Sequence, residues 1–180
     1  QSCDDDPDRA FDVNVRGTET VAWFCRQNNT PLVFPCSMAI IGEPVELPIT
    51  ADHPREPVNT YGLTKKMSED DIHDLARGHY PAHVYMKSNL YGHHEVGDER
   101  VGKRTVINVF VERALEDKTL TVHKPGTQAR DFIHVKDVAR AYEHSIEVLL
   151  DDASDGATTI PLASGEDMSV LDLASLVQRV

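Results

Sequence analysis

The feature that most constrains the fold is an alternation of short apolar segments with longer segments of helical periodicity. Pro31–Phe34 and His83–Met86 are short apolar runs, which are typical of buried parallel strands. Apolar residues recur at helical spacing over residues 7–29, 58–78 and 137–150. Strands that alternate with helices form right-handed βαβ units. We therefore expect an α/β protein built on a parallel sheet.

Weaker patterns predict the remaining elements. Residues 120–123, 132–135 and 158–162 are predicted as strands, and residues 104–115 as a helix. A last helix begins after Ser169, because its hydroxyl can cap the first turn and Asp172 stands three residues later.

Two segments are predicted as loops. Residues 38–57 contain four prolines, and residues 91–103 are polar with three glycines. From about residue 104 the predicted elements become shorter and their order changes. We therefore expect one domain over residues 1–103 and a second, mixed region over residues 104–180.

The charge of the chain limits its partners. Eighteen basic residues against thirty acidic ones give a formal net charge of -12. Nucleic acid and anionic membrane surfaces would repel such a protein, so neither is expected as a partner. The acidity is spread along the chain, which indicates either a halophilic protein or an ordinary acidic one. No apolar stretch reaches eighteen residues, so we expect no membrane span and a cytoplasmic location.

Cysteine and histidine spacing gives no sign of a metal site or of disulfides. The three cysteines, Cys3, Cys25 and Cys36, have no paired spacing, and two of them lie in apolar runs. The nine histidines show no HExxH or similar pattern. We therefore predict no metal.

Tyr61 and Lys65 form the first candidate for chemistry. In a helix these residues lie one turn apart on the same face. A nearby ammonium favours the phenolate and lowers the pKa of a tyrosine, so the pair could exchange a proton with a substrate hydroxyl or carbonyl. The alternative is a tyrosine packed under a solvated helix.

Ser37 and Asn14 are candidates because of where they stand. Ser37 follows the first strand, and ligands of α/β sheets bind at the carboxyl ends of strands. Its alternative role is a turn or helix cap. Asn14 lies in a helix that does not favour asparagine, where it could hold a water molecule or a backbone carbonyl. An exposed polar position is the alternative.

Arg130 precedes the strand predicted at residues 132–135. A guanidinium at a strand edge can bind phosphate oxygens bidentately. The alternative is a surface ion pair with Asp131 or Asp137.

Five ordered motifs together are more specific than any of these residues alone. They are Asn14–Thr18, Cys36–Gly42, Pro57–Lys65, Ser88–Gly92 and Gln128–Val138. In this order they resemble the extended short-chain dehydrogenase/reductases, the NAD-dependent epimerase/dehydratase family. The resemblance implies the C-terminal part of a Rossmann-type parallel sheet plus part of a small substrate-binding region.

By this resemblance, Tyr61 is the catalytic acid/base and Ser37 is its hydrogen-bonding partner. Lys65 lowers the pKa of the phenol and binds the nicotinamide ribose. Asn14 and Ser88 match positions that line the nicotinamide site, beside Ser37, Tyr61 and Lys65. The implied reaction is hydride transfer between a sugar carbon and NAD, with proton transfer through Tyr61.

The resemblance also implies a nucleotide-sugar substrate and a homodimer. The positions that match substrate contacts, besides Ser37 and Tyr61, are Asn89, Thr121, His123 and Arg130, with Arg130 on the diphosphate. The dimer interface is expected through the helices near residues 9–28 and 58–78.

Departures from the family pattern narrow the function. Met38 and Ala39 replace the acidic pair of sugar dehydratases, so water elimination is disfavoured, while epimerase, reductase and decarboxylase activities stay open. A nucleotide-sugar epimerase is the leading interpretation, with a reductase or decarboxylase as alternatives. Cys36, Ile41 and Met86 also depart from the usual Ser, Tyr and Arg. A non-catalytic NAD-binding protein of the same fold is a further alternative, although such proteins often lose the Tyr/Lys pair.

The glycine-rich dinucleotide motif does not occur in these 180 residues. We therefore expect the first half of the dinucleotide fold to precede Gln1, and this chain alone to bind NAD poorly. The choice between NAD and NADP stays open for the same reason.

Overall fold

The structure, a computed structural model, describes residues 3–102, 104–151 and 154–179. These residues form two compact units. The first comprises the residues up to Lys87 together with Tyr142–Pro161, and the second comprises Ser88–Ala141 together with the residues from Leu162 onward. The domain boundary expected near residue 104 stays a prediction.

The first unit begins with a helix that is interrupted by one wide turn. Helix α1 (Pro7–Phe11) and helix α2 (Gly17–Asn28) are joined by a π-helical turn, Asp12–Arg16. The carboxylate of Asp6 accepts a hydrogen bond from the backbone N–H of Arg9 at 3.2 Å, as an N-cap does. The predicted helix is confirmed, and the π turn within it was not predicted.

The sheet of the first unit is parallel, as predicted. Strand β1 (Leu32–Pro35) pairs in parallel with β2 (Pro81–Lys87), with Phe34 opposite Val84. Strand β7 (Gly156–Leu162) lies on the other side of β2. The sheet order is therefore β1-β2-β7.

Helices cover both faces of this sheet. Helix α3 (Thr60–Ala76) and α2 bury one face in an apolar core whose members include Ala22, Cys25, Phe34, Ile72, Val84 and Met86. His83 and Tyr85 point to the opposite face, since side chains alternate along a strand. There they contact Ser145 and Tyr142 of helix α5 (Val135–Asp151).

The second unit has a small sheet and two packed helices. Its elements are β3 (Asn89–Tyr91), β4 (His94–Val96), β5 (Glu99–Val101), α4 (Val106–Leu115), β6 (Ala129–His134), β8 (Asp167–Ser169) and α6 (Val170–Arg179). Strand β6 pairs in parallel with β3 and antiparallel with β8. Helices α4 and α6 meet around Phe110, Leu173 and Ala174.

Two predictions in this unit were wrong. Residues 91–103 were expected to form a loop, yet β4 and β5 form an antiparallel hairpin whose turn uses Gly97 at φ 61°. Residues 120–123 were expected to form a strand. Leu120 and Val122 instead pack into the apolar cluster of this unit, and no described strand pairs with them. Their alternation therefore reflects side-chain burial without a backbone ladder.

Helices of the described part of the chain are too short or too polar to cross a membrane.

Candidate active site

Ser37, Tyr61 and Lys65 all belong to the first unit. Ser37 follows the carboxyl end of β1, and Tyr61 lies in the first turn of α3, one turn before Lys65. The hydroxyl of Ser37 accepts a hydrogen bond from the backbone N–H of Ala39 at 3.2 Å and so caps a short 3-10 helix, Met38–Ile40. The same side chain also lowers the pKa of the Tyr61 phenol through a hydrogen-bonding contact. The cap is therefore observed, and the role of Ser37 as the partner of Tyr61 stays a prediction.

The environment of Tyr61 keeps its phenol protonated. Partial burial raises the pKa of Tyr61, and the hydrogen bond with Ser37 lowers it. The thiol groups of Cys36 and Cys3 raise it further, so the pKa lies above its ordinary value. The sequence predicts a lowered pKa because of Lys65, but Lys65 is not among the groups that set it here. In this state the phenol is a proton donor.

Lys65 is nearly buried, with 9% of its surface exposed. Its ammonium Nζ lies 4.0 Å from the centroid of the Phe34 ring. The pKa of Lys65 is lowered to about 8, mainly by burial. The ammonium of Lys87 also lowers this pKa, whereas the thiol of Cys36 raises it. Nothing in the sequence predicts the contact with Phe34, because a buried aromatic residue in a strand has many possible partners.

The N-terminus of α3 is held by three close contacts. The side chain of Asn59 accepts a hydrogen bond from the N–H of Gly62 at 2.8 Å. The carboxylate of Asp4 accepts one from the N–H of Thr60 at 2.9 Å. A Cβ on Gly62 would lie 2.3 Å from the carbonyl oxygen of Ala39. Glycine is therefore required where α3 approaches the segment that carries Ser37.

Asn14 lies in the π turn and contacts α3. Its side-chain amide donates a hydrogen bond to the hydroxyl of Thr64 at 3.0 Å. Its carbonyl accepts hydrogen bonds from Thr18 at 2.6 Å and from Ser68 at 2.7 Å. The π turn thus gives α3 a backbone acceptor, which is a common role for such turns at functional sites. Sequence reasoning missed Thr64 and Ser68, although small hydroxyl residues one turn apart on a buried helix face are a usable signal.

Glu69, one turn beyond Lys65, is a buried carboxylate with several partners. It receives two hydrogen bonds from the guanidinium of Arg55, at 3.0 and 3.2 Å. The hydroxyl of Thr159 in β7 donates to it at 2.7 Å, and His73 contacts the same hydroxyl at 2.9 Å. This network joins the loop before α3, the helix and the sheet.

The other candidate residues belong to the second unit. The amide of Asn89 donates to the carbonyl of Asp131 at 3.1 Å. The carboxylate of Asp131 accepts hydrogen bonds from Ser164, at 2.8 and 3.0 Å, and from Gly165 at 2.8 Å. Burial raises the pKa of Asp131, but the nearby hydroxyl of Ser88 and hydrogen bonds from Ser164 and Gly165 outweigh it and keep this pKa below its ordinary value. Ser88 and Asn89 therefore adjoin the residue that follows Arg130.

Arg130 is exposed, and its guanidinium donates to the adjacent carbonyl of Ala129 at 2.8 Å. Within residues 3–102, 104–151 and 154–179 it forms no ion pair, and Asp137 pairs with Arg140 at 2.7 Å instead. The alternative role of Arg130, a surface ion pair with Asp131 or Asp137, is therefore not observed. Thr121 and His123 are also exposed. No group of three or more potential metal ligands occurs among the described residues.

Comparisons with known proteins give a consistent family. Residues 1–155 match the sequence profile of the NAD dependent epimerase/dehydratase family. The chain is 33% identical over 133 residues to a putative UDP-glucose 4-epimerase of Methanocaldococcus jannaschii, a match that covers 72% of this chain and 43% of that protein. It is 31% identical over 162 residues to a UDP-glucose 4-epimerase of Bacillus subtilis, with 83% and 47% covered. The chain spans about half the length of these curated relatives.

Solved structures agree with this. A UDP-glucose 4-epimerase from Brucella ovis in complex with NAD is 29% identical, with a TM-score of 0.81 over 99% of this chain and 58% of that one. A UDP-glucose 4-epimerase from Thermotoga maritima with UDP-glucose has a TM-score of 0.83 at 23% identity, over 98% and 56% of the two chains, and supports the fold. The fold is therefore of the Rossmann type found in these epimerases. The chain belongs to the NAD dependent epimerase/dehydratase family.

Proposed function

We propose that this chain carries the proton-transfer residues of an NAD-dependent nucleotide-sugar 4-epimerase. The observation that supports this most is that Ser37, just after the end of β1, lies beside Tyr61 in the first turn of α3. Lys65, on the next turn of the same helix, adds a buried ammonium. Relatives described as UDP-glucose 4-epimerases provide the substrate class.

The family is NAD-dependent, and the residues of the first unit fit this cofactor. The ammonium of Lys65 forms no ion pair with any described residue, so it can donate hydrogen bonds to ribose hydroxyls. NAD, when bound, supplies the hydride acceptor. In the proposal the residues that hold it are Asn14, Ser37, Tyr61 and Lys65 of the first unit, and Ser88, the first residue of the second unit.

The role of Tyr61 is to move one proton. When a sugar hydroxyl is oxidised, its carbon loses a hydride and its oxygen loses a proton, which the phenolate of Tyr61 accepts. The reverse step returns the proton from Tyr61 and the hydride to the opposite face of the ketone, which inverts the carbon. Ser37 keeps the reacting oxygen within hydrogen-bond reach of the phenol. The first step needs the phenolate form of Tyr61. In the proposal the ammonium of Lys65 approaches the phenol during the reaction and lowers its pKa, which favours that form.

The residues proposed for the nucleotide sugar lie in the second unit. They are Asn89, Thr121, His123 and Arg130. Arg130 is exposed, and its guanidinium forms no ion pair with the described residues. A guanidinium in this state is available to bind a diphosphate.

The test is an epimerisation assay with the full-length protein. We expect incubation with NAD and UDP-glucose to yield the 4-epimer, UDP-galactose, and the reverse reaction to reach the same mixture. Consumption of NADH with a reduced sugar product identifies a reductase, and release of carbon dioxide from a uronic acid substrate identifies a decarboxylase. Either result, or no turnover of any UDP-sugar, contradicts the proposal.

We further propose that the protein is a homodimer through α2 and α3. Val21 and Phe24 lie on one face of α2 and are 49% and 59% exposed, and Leu63 of α3 is 41% exposed. Large apolar residues on adjoining helices favour burial against a second copy. Light scattering is expected to give twice the chain mass, and Phe24→Glu is expected to give monomers. A monomeric wild-type protein contradicts the dimer.

A further inference from the structure

The contact between Lys65 and Phe34 joins a charged atom to the face of a ring. The atom that lies 4.0 Å from the ring centroid is Nζ itself, not a methylene group of the lysine side chain. Both side chains are nearly buried, each with 9% exposed surface. A cation this close to a ring face is attracted by the negative potential of the π system, and the attraction is strongest where water is excluded.

The other groups around Lys65 offer its ammonium little support. Among the residues that the structure describes, no carboxylate forms an ion pair with it. Burial lowers the pKa of Lys65 to about 8, the thiol of Cys36 raises it, and the ammonium of Lys87 at the end of β2 lowers it. Glu69, on the next turn of α3, is engaged by Arg55 and Thr159. The ring of Phe34, 4.0 Å from the ammonium, thus favours the charged form together with the thiol of Cys36.

We propose that Phe34 is a positioning residue that binds the ammonium of Lys65 through the face of its ring and so keeps this lysine charged beside β1 when no substrate is bound. A valine, isoleucine or leucine at position 34 would fill a similar part of the core, but none has a π face. The aromatic side chain therefore serves Lys65 as well as the packing. The importance of this contact for catalysis rests on the proposed function, whereas its effect on Lys65 does not.

The test is the titration of Lys65 in the full-length protein, followed by NMR of lysine labelled with carbon-13 at Cε. The resonance is assigned by its loss in Lys65→Arg. We expect the wild-type midpoint near pH 8. Phe34→Leu is expected to lower it by roughly 0.5 to 1 pH unit, because the attraction of a desolvated cation to a ring is lost. Phe34→Tyr keeps the ring face and is expected to leave the midpoint within a few tenths of a unit.

A matched control is Phe110→Leu, which removes a buried phenylalanine from the apolar cluster of the second unit. It is expected to destabilise the chain by a similar mechanism but not to move the Lys65 midpoint. An unchanged midpoint in Phe34→Leu overturns the proposal. An equal shift in Phe110→Leu also overturns it, because general loosening of the fold would then explain the effect.

If Phe34→Leu does not fold, phenylalanines with increasing numbers of ring fluorines at position 34 keep the shape and weaken the negative face. The midpoint is expected to fall stepwise with fluorination, and a flat series contradicts a role for the ring face. These titrations need no substrate or cofactor. Failure of the epimerisation assay therefore leaves this result standing, and failure of this proposal leaves the proposed function standing.

Discussion

At the residue scale, Tyr61 shows two opposing effects on one phenol. Burial raises its pKa, and the hydrogen bond with Ser37 lowers it. Ser37→Ala removes only the second effect, so we predict that the pKa of Tyr61 rises further. The ultraviolet absorbance of the phenolate measures this, with Tyr61→Phe identifying the transition that belongs to Tyr61. A lower pKa in Ser37→Ala would show that the hydrogen bond stabilises the neutral phenol instead.

Lys65 is expected to cost the fold stability at neutral pH. Its pKa is lowered from 10.5 to about 8, so the unfolded chain binds this proton more tightly than the native one. The cost is present in full below pH 8 and disappears as the pH rises toward 10.5. Lys65→Met is therefore predicted to raise the free energy of unfolding at pH 7 by about 1 to 3 kcal/mol.

The measurement for Lys65→Met is urea unfolding at pH 7 and again near pH 10. We expect the gain at pH 7 to shrink at the higher pH. Lys66→Met, in which the lost side chain is 31% exposed and paired with Asp70, is the control and is expected to show no gain. Destabilisation by Lys65→Met at pH 7 contradicts the account, since contacts of the ammonium would then outweigh its burial.

What the sequence reveals about single residues depends on the distance along the chain between partners. Tyr61 and Lys65 are four residues apart, so helical spacing alone relates them. The partners of Asn14 on α3 are 50 and 54 residues away, and no local pattern indicates them. Phe34 is predicted as a core residue, but its contact with an ammonium depends on how α3 lies on β1.

At the scale of elements, the parallel strands were predictable because burial on both faces makes them continuously apolar. β4 and β5 were missed because each has only three residues and half of these six residues are charged. The strand predicted at residues 120–123 was wrong because alternating apolar residues also occur where a segment packs without pairing. The pattern of apolar residues indicates which side chains are buried. It indicates backbone pairing only indirectly, because paired strands are often buried.

The network around Glu69 is predicted to hold α3 against the loop before it and against β7. Glu69→Gln leaves the guanidinium of Arg55, whose side chain is 16% exposed, without its charged partner. Breaking a buried pair from one side costs about 3 to 5 kcal/mol. Denaturant unfolding at pH 7 measures this loss.

The control for Glu69→Gln is Asp70→Asn, which breaks the surface pair between Asp70 and Lys66 on the same helix. An exposed pair of this kind contributes less than about 1 kcal/mol. Equal losses in the two variants would show that the Glu69 network stabilises α3 no more than a surface pair does.

At the scale of the whole molecule, the net charge of -12 is predicted to make stability depend on salt. Raising the salt from 0.1 M to 1 M shortens the Debye length from about 10 Å to about 3 Å, which screens self-repulsion among the acidic side chains. We predict that the thermal unfolding midpoint rises continuously with potassium chloride over this range, as for a halophilic protein. A flat or falling midpoint indicates an ordinary acidic protein.

The family of the whole chain was predictable although no single motif was decisive. Each motif has an ordinary alternative, such as the helix cap that Ser37 forms. Five motifs in one order are shared with the family that residues 1–155 match. Each motif belongs to a particular strand or helix, so a shared fold keeps the motifs in the same order along the chain. Their combination therefore indicates the family, although each motif alone does not.

In the proposed reaction Tyr61 transfers the proton between the sugar oxygen and the enzyme. The epimerisation rate of the full-length protein with Tyr61→Phe, compared with Tyr80→Phe, tests this role. Tyr80 is buried, and its hydroxyl has no hydrogen-bond partner among the described residues, so it is a matched control. We predict that Tyr61→Phe lowers kcat by about 100-fold or more, as loss of an acid/base group does, whereas Tyr80→Phe stays near the wild-type rate. A Tyr61→Phe enzyme with near-wild-type kcat would contradict this role.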